Sequence, residues 1–171
     1  MALKIVQNAY LVTDLQAAAK RLHAVYGIGP FVGGGTSELS GHSYRGMSAP
    51  PVNVKVAFVQ SGELNIELIE VVASGNSAFR DMFGPGEEGF HHVGIFSEEP
   101  AAERARLERL GYPVASEFVS ERGTITFLDA RSALGHMIEL YSDDPIFPHV
   151  FGVTRAAAES WDGRNLFQSL N

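Results

Sequence analysis

Two stretches of the chain repeat the same order of polar and hydrophobic positions. Residues 5–15 read IVQNAYLVTDL, in which a polar residue opens a short apolar run and an acid introduces a helical stretch. Residues 90–99, FHHVGIFSEE, follow the same plan. An internal repeat of this kind predicts two units with the same local structure.

Each repeat is followed by a segment with helical periodicity. In residues 14–26 the apolar side chains recur on one face, Asp14 suits the N-cap, and Gly27 suits the end of the helix. A second helix is predicted over residues 100–110, PAAERARLERL, and Gly111 ends it in the same way. Both helices are therefore predicted to end at a glycine, and the first also has a predicted N-cap residue.

Short strand-like runs, separated by turn residues, follow each predicted helix. The resulting order of elements predicts an α+β fold with two tandem βαβββ modules. The linker between the modules carries a predicted helical turn at residues 77–83. The predicted strands cover residues 31–33, 41–45, 52–60 and 64–72 in the first half, and residues 114–119, 124–129 and 137–141 in the second.

These elements define the expected organisation of the chain. We expect a single domain over residues 1–142, made of module 1 at residues 3–73 and module 2 at residues 88–142. Residues 143–171 are expected to form a C-terminal tail, with a loop followed by a short helix in TRAAAESWDG. A length of 171 residues fits this arrangement, because one domain of this size can bury a substantial core.

Composition narrows the classes of function. The chain is 45% hydrophobic, as a folded globular protein is. Its formal net charge of −7 argues against binding to nucleic acids or anionic membranes, since both need a basic surface. No apolar stretch approaches the roughly 20 residues that span a bilayer. There is no cysteine, which excludes disulfides and thiolate ligands. The first residues lack the features of a signal peptide, so we expect a cytoplasmic protein.

Four polar residues fall at equivalent places in the two halves. When the halves are aligned on their first strands, Gln7 matches His92, and when they are aligned on their last strands, Glu67 matches Glu139. A carboxylate in the middle of an apolar strand is costly to bury alone. A shared divalent cation would satisfy all four side chains, and imidazole, carboxylate and amide donors suit Zn, Ni, Co, Mn, Fe or Mg.

The order of these segments resembles the vicinal oxygen chelate superfamily, which includes glyoxalases, bleomycin-resistance proteins and extradiol dioxygenases. The resemblance rests on QNAYLVTDL, GIGPF, FVQSGELNIELIE, GFHHVGI and LGHMIELY, and it covers about residues 3–142. It implies that the two modules form a curled mixed β-sheet cup with flanking helices around one metal ion. It also implies that the metal ligands are Gln7, Glu67, His92 and Glu139.

The ligand set looks like that of zinc-type glyoxalase I and is compatible with the relative that epimerises methylmalonyl-CoA. The resemblance therefore implies a metal-dependent lyase or isomerase that abstracts a proton next to the chelated carbonyl of a small 2-oxo, 2-hydroxy or thioester substrate. Glu139 and Glu67 would be the catalytic residues, with one removing the proton and the other returning it. The resemblance favours Glu139 as the base, and it implies a homodimer.

Two other functions stay open at this point. A metal-free protein of the same fold could sequester a small apolar or aromatic ligand, since 11 phenylalanines make an apolar cup plausible. An oxygenase is a further alternative, although Gln7, in place of the His that many relatives carry, argues against the ring-cleaving dioxygenases.

Several neighbouring residues are given other roles. Strand parity predicts that only one of His91 and His92 points into the cup, and the alignment with Gln7 selects His92. His136 is predicted to face away from the cup, and residues 33–35, GGG, are predicted to form a flexible turn. His42 and Tyr44 share a strand face and either contact substrate or belong to a solvated hairpin.

Overall fold

A computed structural model describes residues 3–120, 123–141 and 146–170. The strands of the first half are β1 (Ile5–Leu11), β2 (Phe31–Leu39), β3 (His42–Tyr44), β4 (Met47–Ser48), β5 (Val52–Ser61) and β6 (Leu64–Ala73). The later strands are β7 (Gly89–Phe96), β8 (Val114–Ser120), β9 (Gly123–Asp129), β10 (Met137–Tyr141) and β11 (Phe167–Gln168). The helices are α1 (Leu15–Tyr26), α2 (Ala78–Met82), α3 (Pro100–Arg109), α4 (Arg131–Leu134) and α5 (Ile146–Ser160).

The strands form one curled mixed sheet with the order β11-β2-β5-β6-β1-β7-β10-β9-β8-β3-β4. Strand β1 lies beside the central strand β7, parallel to β6 and antiparallel to β7. Strand β10 is parallel to β7, so the second half repeats the pairing of the first. The predicted α+β fold with two βαβββ modules and a curled sheet is confirmed, whereas the residue boundaries of the modules stay a prediction.

Helix α1 covers the outer face of the first half. The Asp14 carboxylate accepts a hydrogen bond from the backbone N–H of Ala17 at 2.9 Å, and Gly27 ends the helix in the left-handed conformation. Leu15 and Ala19 are buried with Leu68 in one apolar cluster. Helix α3 covers the second half through an apolar cluster that contains Leu107, Ile138 and Leu140.

The inner face of the sheet encloses a separate apolar cluster, to which the linker helix α2 contributes. This short helix is the predicted helical turn, and the Ser77 hydroxyl caps it. Its Phe79 is 2% exposed and packs edge-on against Phe127 with a centroid separation of 5.3 Å. The linker is therefore part of the core of the cup.

One prediction for the first half is wrong. Residues 33–35 do not form a turn but lie in β2, where an irregularity in register between Gly33 and Thr36 absorbs the glycines. Gly33 has a φ of 114°, and a Cβ there would lie 2.6 Å from the carbonyl oxygen of Val56. The hairpin of β3 and β4 leaves its own half and pairs with β8, aligning His42 with Phe118. Backbone hydrogen bonds to the second half of the chain therefore hold this hairpin in place.

The tail is more helical than expected. Helix α5 begins at Ile146, so His149 lies in a helix and not in a loop. The turn residues SERG at 120–123 separate two of the predicted strands, and the predicted loop begins at residue 143. Residues 121–122 and 143–145 of these two segments lie outside the described residues. In the described ranges, no helix is long and apolar enough to cross a bilayer.

Candidate metal centre

The register of two parallel strand pairs places the four predicted site residues at equivalent positions. In each half, the polar site residue on the first strand lies opposite a residue two positions before the glutamate of the last strand. This is the relationship predicted from the sequence alignment of the halves. The aligned pairs are Gln7 with Asn65 and Ala9 with Glu67 in the first half, and His92 with Met137 and Gly94 with Glu139 in the second.

The alternation of the strands turns the glutamates away from the helices. On β6, Leu68 belongs to the apolar cluster under α1, so Glu67 faces the inside of the cup. On β10, Ile138 and Leu140 belong to the cluster under α3, so Glu139 also faces inward. Each carboxylate is thus carried into the cup by neighbours that pack on the opposite face.

The structure brings Glu67, His92 and Glu139 together. Nε2 of His92 lies 2.8 Å from Oε2 of Glu139 and 3.4 Å from Oε2 of Glu67. One ligand atom from each of the three residues lies within 4.8 Å of the other two, a spacing at which they could hold a metal ion. Gln7 and His92 are fully buried, and Glu139 and Glu67 are 4% and 7% exposed.

Gln7 completes the cluster through its amide. In one amide orientation, Nε2 donates to Oδ1 of Asn65 at 3.0 Å, and Oε1 accepts from the hydroxyl of Tyr141 at 2.5 Å. Oε1 then lies 3.3 Å from a carboxylate oxygen of both Glu67 and Glu139. In the other orientation, the amide nitrogen donates to these carboxylates. The first orientation gathers three oxygens, which repel one another unless a cation lies between them.

His92 provides the test of whether this site fits a metal. Among the described residues, no group accepts a properly directed hydrogen bond from its buried Nε2, even though the carboxylate oxygen of Glu139 is close. A buried polar atom without such a partner is costly. A divalent cation would bind this nitrogen and the neighbouring oxygens together, so the residues present fit the group.

Burial and the neighbouring charges together raise the pKa values of both Glu67 and His92. Burial raises the pKa of Glu67 to about 7; the contact with His92 opposes this rise, and the charge of Glu139 adds to it. Burial alone would lower the pKa of His92, but the carboxylates of Glu139 and Glu67 outweigh it and raise the pKa to about 9. Without a metal, a proton therefore supplies part of the positive charge that the carboxylates need.

His91 also lies inside the cup, so the prediction from strand parity that one histidine of the pair points outward is wrong. Strand β1 aligns Ala9 with His92 but Tyr10 with Phe90, which leaves His91 as the extra residue of a β-bulge. Its Nδ1 lies 2.8 Å from Nδ1 of His92. Burial, together with the charge of His92, lowers the pKa of His91 well below its usual value.

Tyr141 is a second residue that the sequence reasoning missed. It lies two residues after Glu139 on β10 and therefore faces the cup, where its hydroxyl contacts Gln7. Burial and the charges of Glu139 and Glu67 raise the pKa of Tyr141 well above its usual value, so the hydroxyl stays protonated and donates. Its spacing from Glu139 is the signal that could have identified it.

The remaining residues of interest do not join the cluster. Nδ1 of His136 contacts the carbonyl of Met137 at 2.7 Å. His42 is buried, with Nδ1 2.8 Å from the carbonyl oxygen of Pro50 and Nε2 3.1 Å from Oγ of Ser116. The Tyr44 hydroxyl donates to Asp81 at 2.7 Å. The contacts of His42 and Tyr44 hold the hairpin in place, so neither of the two residues faces the centre.

Solved structures with the same fold include a hypothetical protein from Bacillus halodurans C-125. It is 21% identical, with a TM-score of 0.55, over 82% of this chain and 94% of that chain. Methylmalonyl-CoA epimerase from Streptomyces coelicolor, in complex with 2-nitronate-propionyl-CoA, is 22% identical with a TM-score of 0.54, over 81% of this chain and 94% of that chain. Methylmalonyl-CoA epimerase from Mycobacterium tuberculosis is 18% identical with a TM-score of 0.51, over 85% of this chain and 91% of that chain. At these identities, the likeness shows the fold.

Sequence comparison identifies the family. A search of curated proteins gives no match. The model of the glyoxalase/bleomycin resistance protein/dioxygenase superfamily matches residues 6–127, which contain three of the four clustered polar residues and most of both modules. The chain therefore belongs to the glyoxalase/bleomycin resistance protein/dioxygenase superfamily.

Proposed function

We propose that this protein is a metal-dependent isomerase, which moves a proton on the carbon next to a carbonyl group. Gln7, Glu67, His92 and Glu139 would hold one divalent cation. The observation that carries this proposal is the convergence of two buried carboxylates and one imidazole within 4.8 Å, supplied by equivalent strands of the two modules. Such a cluster is unstable without a shared positive charge.

When bound, a divalent cation polarises the substrate carbonyl and stabilises the negative charge that develops on its oxygen. The protein's own part is the movement of the proton. A carboxylate oxygen of Glu139 or Glu67 accepts the proton, and the electrons of the C–H bond pass into the carbonyl to give an enolate. The carboxyl group of the other glutamate then returns a proton to the opposite face of that carbon, which inverts it.

The properties of Glu67 suit this exchange. In the metal-free protein, burial raises the pKa of Glu67 to about 7, so its carboxyl group takes up a proton more readily than an ordinary glutamate does. Glu67 and Glu139 retain 7% and 4% exposure, whereas Gln7 and His92 have none. We therefore expect substrate to approach from the side of the carboxylates.

The proposed substrate class is a small 2-oxo, 2-hydroxy or thioester compound. Thioesters are the first choice for testing, because two of the structural neighbours are methylmalonyl-CoA epimerases and one of them holds 2-nitronate-propionyl-CoA. A lyase of the glyoxalase type uses the same proton abstraction and belongs to the same test. We also propose a homodimer, which light scattering coupled to size-exclusion chromatography would measure.

The first experiment measures metal content and hydrogen exchange on the same preparation. We expect one divalent metal per chain, and exchange of the C–H next to the carbonyl with deuterated water, followed by NMR on acyl-CoA thioesters and on 2-oxo and 2-hydroxy acids. A protein that binds an apolar ligand but carries no metal and exchanges no substrate would contradict the proposal and favour a binding protein. Oxygen uptake would indicate an oxygenase.

The second experiment replaces each glutamate in turn. Glu67→Gln and Glu139→Gln should each slow inversion of the substrate carbon by at least roughly 100-fold, because inversion needs one glutamate to remove the proton and the other to return it. Glu63→Gln is the matched control, since Glu63 lies on the same hairpin but its side chain is 79% exposed and forms an ion pair with Arg155, outside the cluster. Inversion at the wild-type rate in both cluster variants would refute the assigned roles.

A further inference from the structure

The pair of adjacent histidines carries an inference about how the proposed metal site is held. The β-bulge in β7 turns both His91 and His92 into the cup, and both side chains are fully buried. Only His92 reaches the carboxylates. His91 instead lies between His92 and the linker helix α2, with Nδ1 2.8 Å from Nδ1 of His92 and Nε2 3.2 Å from the carbonyl oxygen of Ala78.

This chain of contacts fixes where the hydrogens lie. A carbonyl oxygen only accepts hydrogen bonds, so Nε2 of His91 carries the hydrogen that reaches Ala78. With its hydrogen on Nε2, a neutral His91 ring offers a lone pair at Nδ1, which accepts from Nδ1–H of His92. When His92 is neutral, as metal binding requires, it is left with a lone pair at Nε2, the nitrogen that lies 2.8 Å from Glu139 and 3.4 Å from Glu67.

We propose that His91 is a positioning residue, which fixes the tautomer and ring orientation of His92 so that Nε2 of His92 presents its lone pair to the metal. This inference rests on the proposed function, because it assumes a metal between the two glutamates. Ligating histidines commonly donate their second ring N–H to an acceptor, and removal of that acceptor costs about 10- to 100-fold in metal affinity. Here the acceptor is another histidine.

The packing around His91 allows a selective test. Its ring lies 5.1 Å from the ring of Phe79 and 5.8 Å from that of Phe127, so a phenyl group can replace it without leaving a cavity. His91→Phe removes the acceptor and keeps the aromatic packing. His91→Asn places an amide oxygen near the position of Nδ1 and restores the acceptor. His42→Phe is the matched control, because His42 is also buried and hydrogen-bonded through both nitrogens but does not contact the cluster.

Zn²⁺ affinity, measured by competition with a chromophoric chelator, should fall about 10- to 100-fold in His91→Phe and remain within a few-fold of the wild type in His91→Asn and His42→Phe. The Co²⁺ absorption spectrum should change only in His91→Phe. If His91 were merely structural, His91→Phe and His42→Phe would both lower Tm while leaving Zn²⁺ affinity unchanged. Wild-type affinity in a folded His91→Phe protein would overturn the inference.

A second measurement does not need metal or a variant. Long-range ¹H–¹⁵N NMR of the wild-type side chains should report His91 as the neutral tautomer with hydrogen on Nε2. A hydrogen on Nδ1 of His91 would overturn the inference even if metal binds. Conversely, failure of the wild-type protein to bind any divalent metal would remove the proposed function, while the tautomer of His91 would still be measured on its own.

Discussion

The two halves of the sheet supply matching pairs of site residues but hold the first member of each pair differently. Gln7 is held by Asn65 from its own half and by Tyr141 from the other half. His92 is held by His91, the extra residue of a β-bulge. The duplication therefore fixes where the polar residues lie, while each half has its own means of orienting them.

The carboxylates differ as well, although their backbone positions correspond. Glu139 lies 2.8 Å from Nε2 of His92, and Glu67 lies 3.4 Å from it. Glu67 is also slightly more exposed, at 7% against 4%. A duplicated fold can thus present two similar acids in unequal surroundings, as their proposed opposite roles in one proton transfer require.

The largest expected effect separates His92 from Gln7. His92→Ala should lower Zn²⁺ affinity by at least roughly 100-fold, because it removes a proposed ligand itself and not merely its supporting partner. Gln7→Ala should cost only about 10-fold, since a neutral amide is the weaker donor. Isothermal titration calorimetry would measure both.

Both variants should keep the fold, which circular dichroism and melting in the presence of a chelator would check. Glu67→Ala should likewise lose metal and stay folded. Equal losses of Zn²⁺ affinity in His92→Ala and Gln7→Ala would contradict the predicted difference between the two halves. Unfolding of the metal-free protein would contradict the expectation that the fold does not need metal.

The second effect is the pH dependence of metal-free stability. The folded pKa values of Glu67, about 7, and His92, about 9, exceed the ordinary values of 4.5 and 6.5. Each group therefore contributes stability that is fully present below its unfolded pKa and lost as pH rises through its folded pKa. In a chelator, Tm should fall by roughly 5 °C or more between pH 5 and pH 9.

Saturating Zn²⁺ should reduce this fall, because the metal replaces the proton as the positive charge of the site. His92→Gln should remove the part of the fall between pH 6.5 and about 9. A Tm that stays constant from pH 5 to pH 9 in the chelator would show that folding does not raise the pKa values of Glu67 and His92.

The third effect concerns the residue that lies opposite each glutamate on the neighbouring strand, which is Ala9 in the first half and Gly94 in the second. Gly94 is the counterpart of Ala9, but a Cβ at Gly94 would lie 2.9 Å from a ring carbon of Tyr141 and 3.2 Å from Oε1 of Gln7. Gly94→Ala should therefore cost about 1–3 kcal/mol of stability and weaken metal binding, as urea unfolding and Zn²⁺ titration would measure. Gly75→Ala is the control, since a Cβ there meets nothing within 4 Å.

The smallest effect concerns the hairpin that only the first half has. Nη2 of Arg45 lies 2.6 Å from Asp81 and 2.8 Å from Asp129, linking the hairpin to α2 and to β9. Because the Arg45 side chain is 36% exposed, Arg45→Met should lower the free energy of unfolding by about 1 kcal/mol or less at pH 7. Arg164→Met is the control, since its side chain is 85% exposed.

This loss should shrink in acid. The guanidinium groups of Arg131 and Arg45 hold the pKa of Asp129 below its ordinary value of 3.8. The stability that Asp129 contributes is therefore present above pH 3.8 and lost as the pH falls further. A difference between Arg45→Met and wild type that grows in acid would contradict this account of the hairpin.

Much of the site followed from the sequence because strand geometry is regular. Side chains alternate between the two faces of a strand, so Glu67 and Glu139 could be placed inside the cup from their apolar neighbours alone. The same rule failed at His91, because a bulge depends on how two strands pair and leaves no mark in the local pattern. The partner of β3 was likewise unpredictable, since β8 lies more than 70 residues further along the chain.

The sequence by itself determined the duplicated plan, the caps of α1 and the identity of four clustered polar residues, because these depend on periodicity and local chemistry. The tertiary structure alone decided the distances within the cluster, the inward turn of His91 and the contact of Tyr141 with Gln7. These features arise where strands distant in sequence meet. A local pattern encodes which face a side chain occupies but not which partner it meets there.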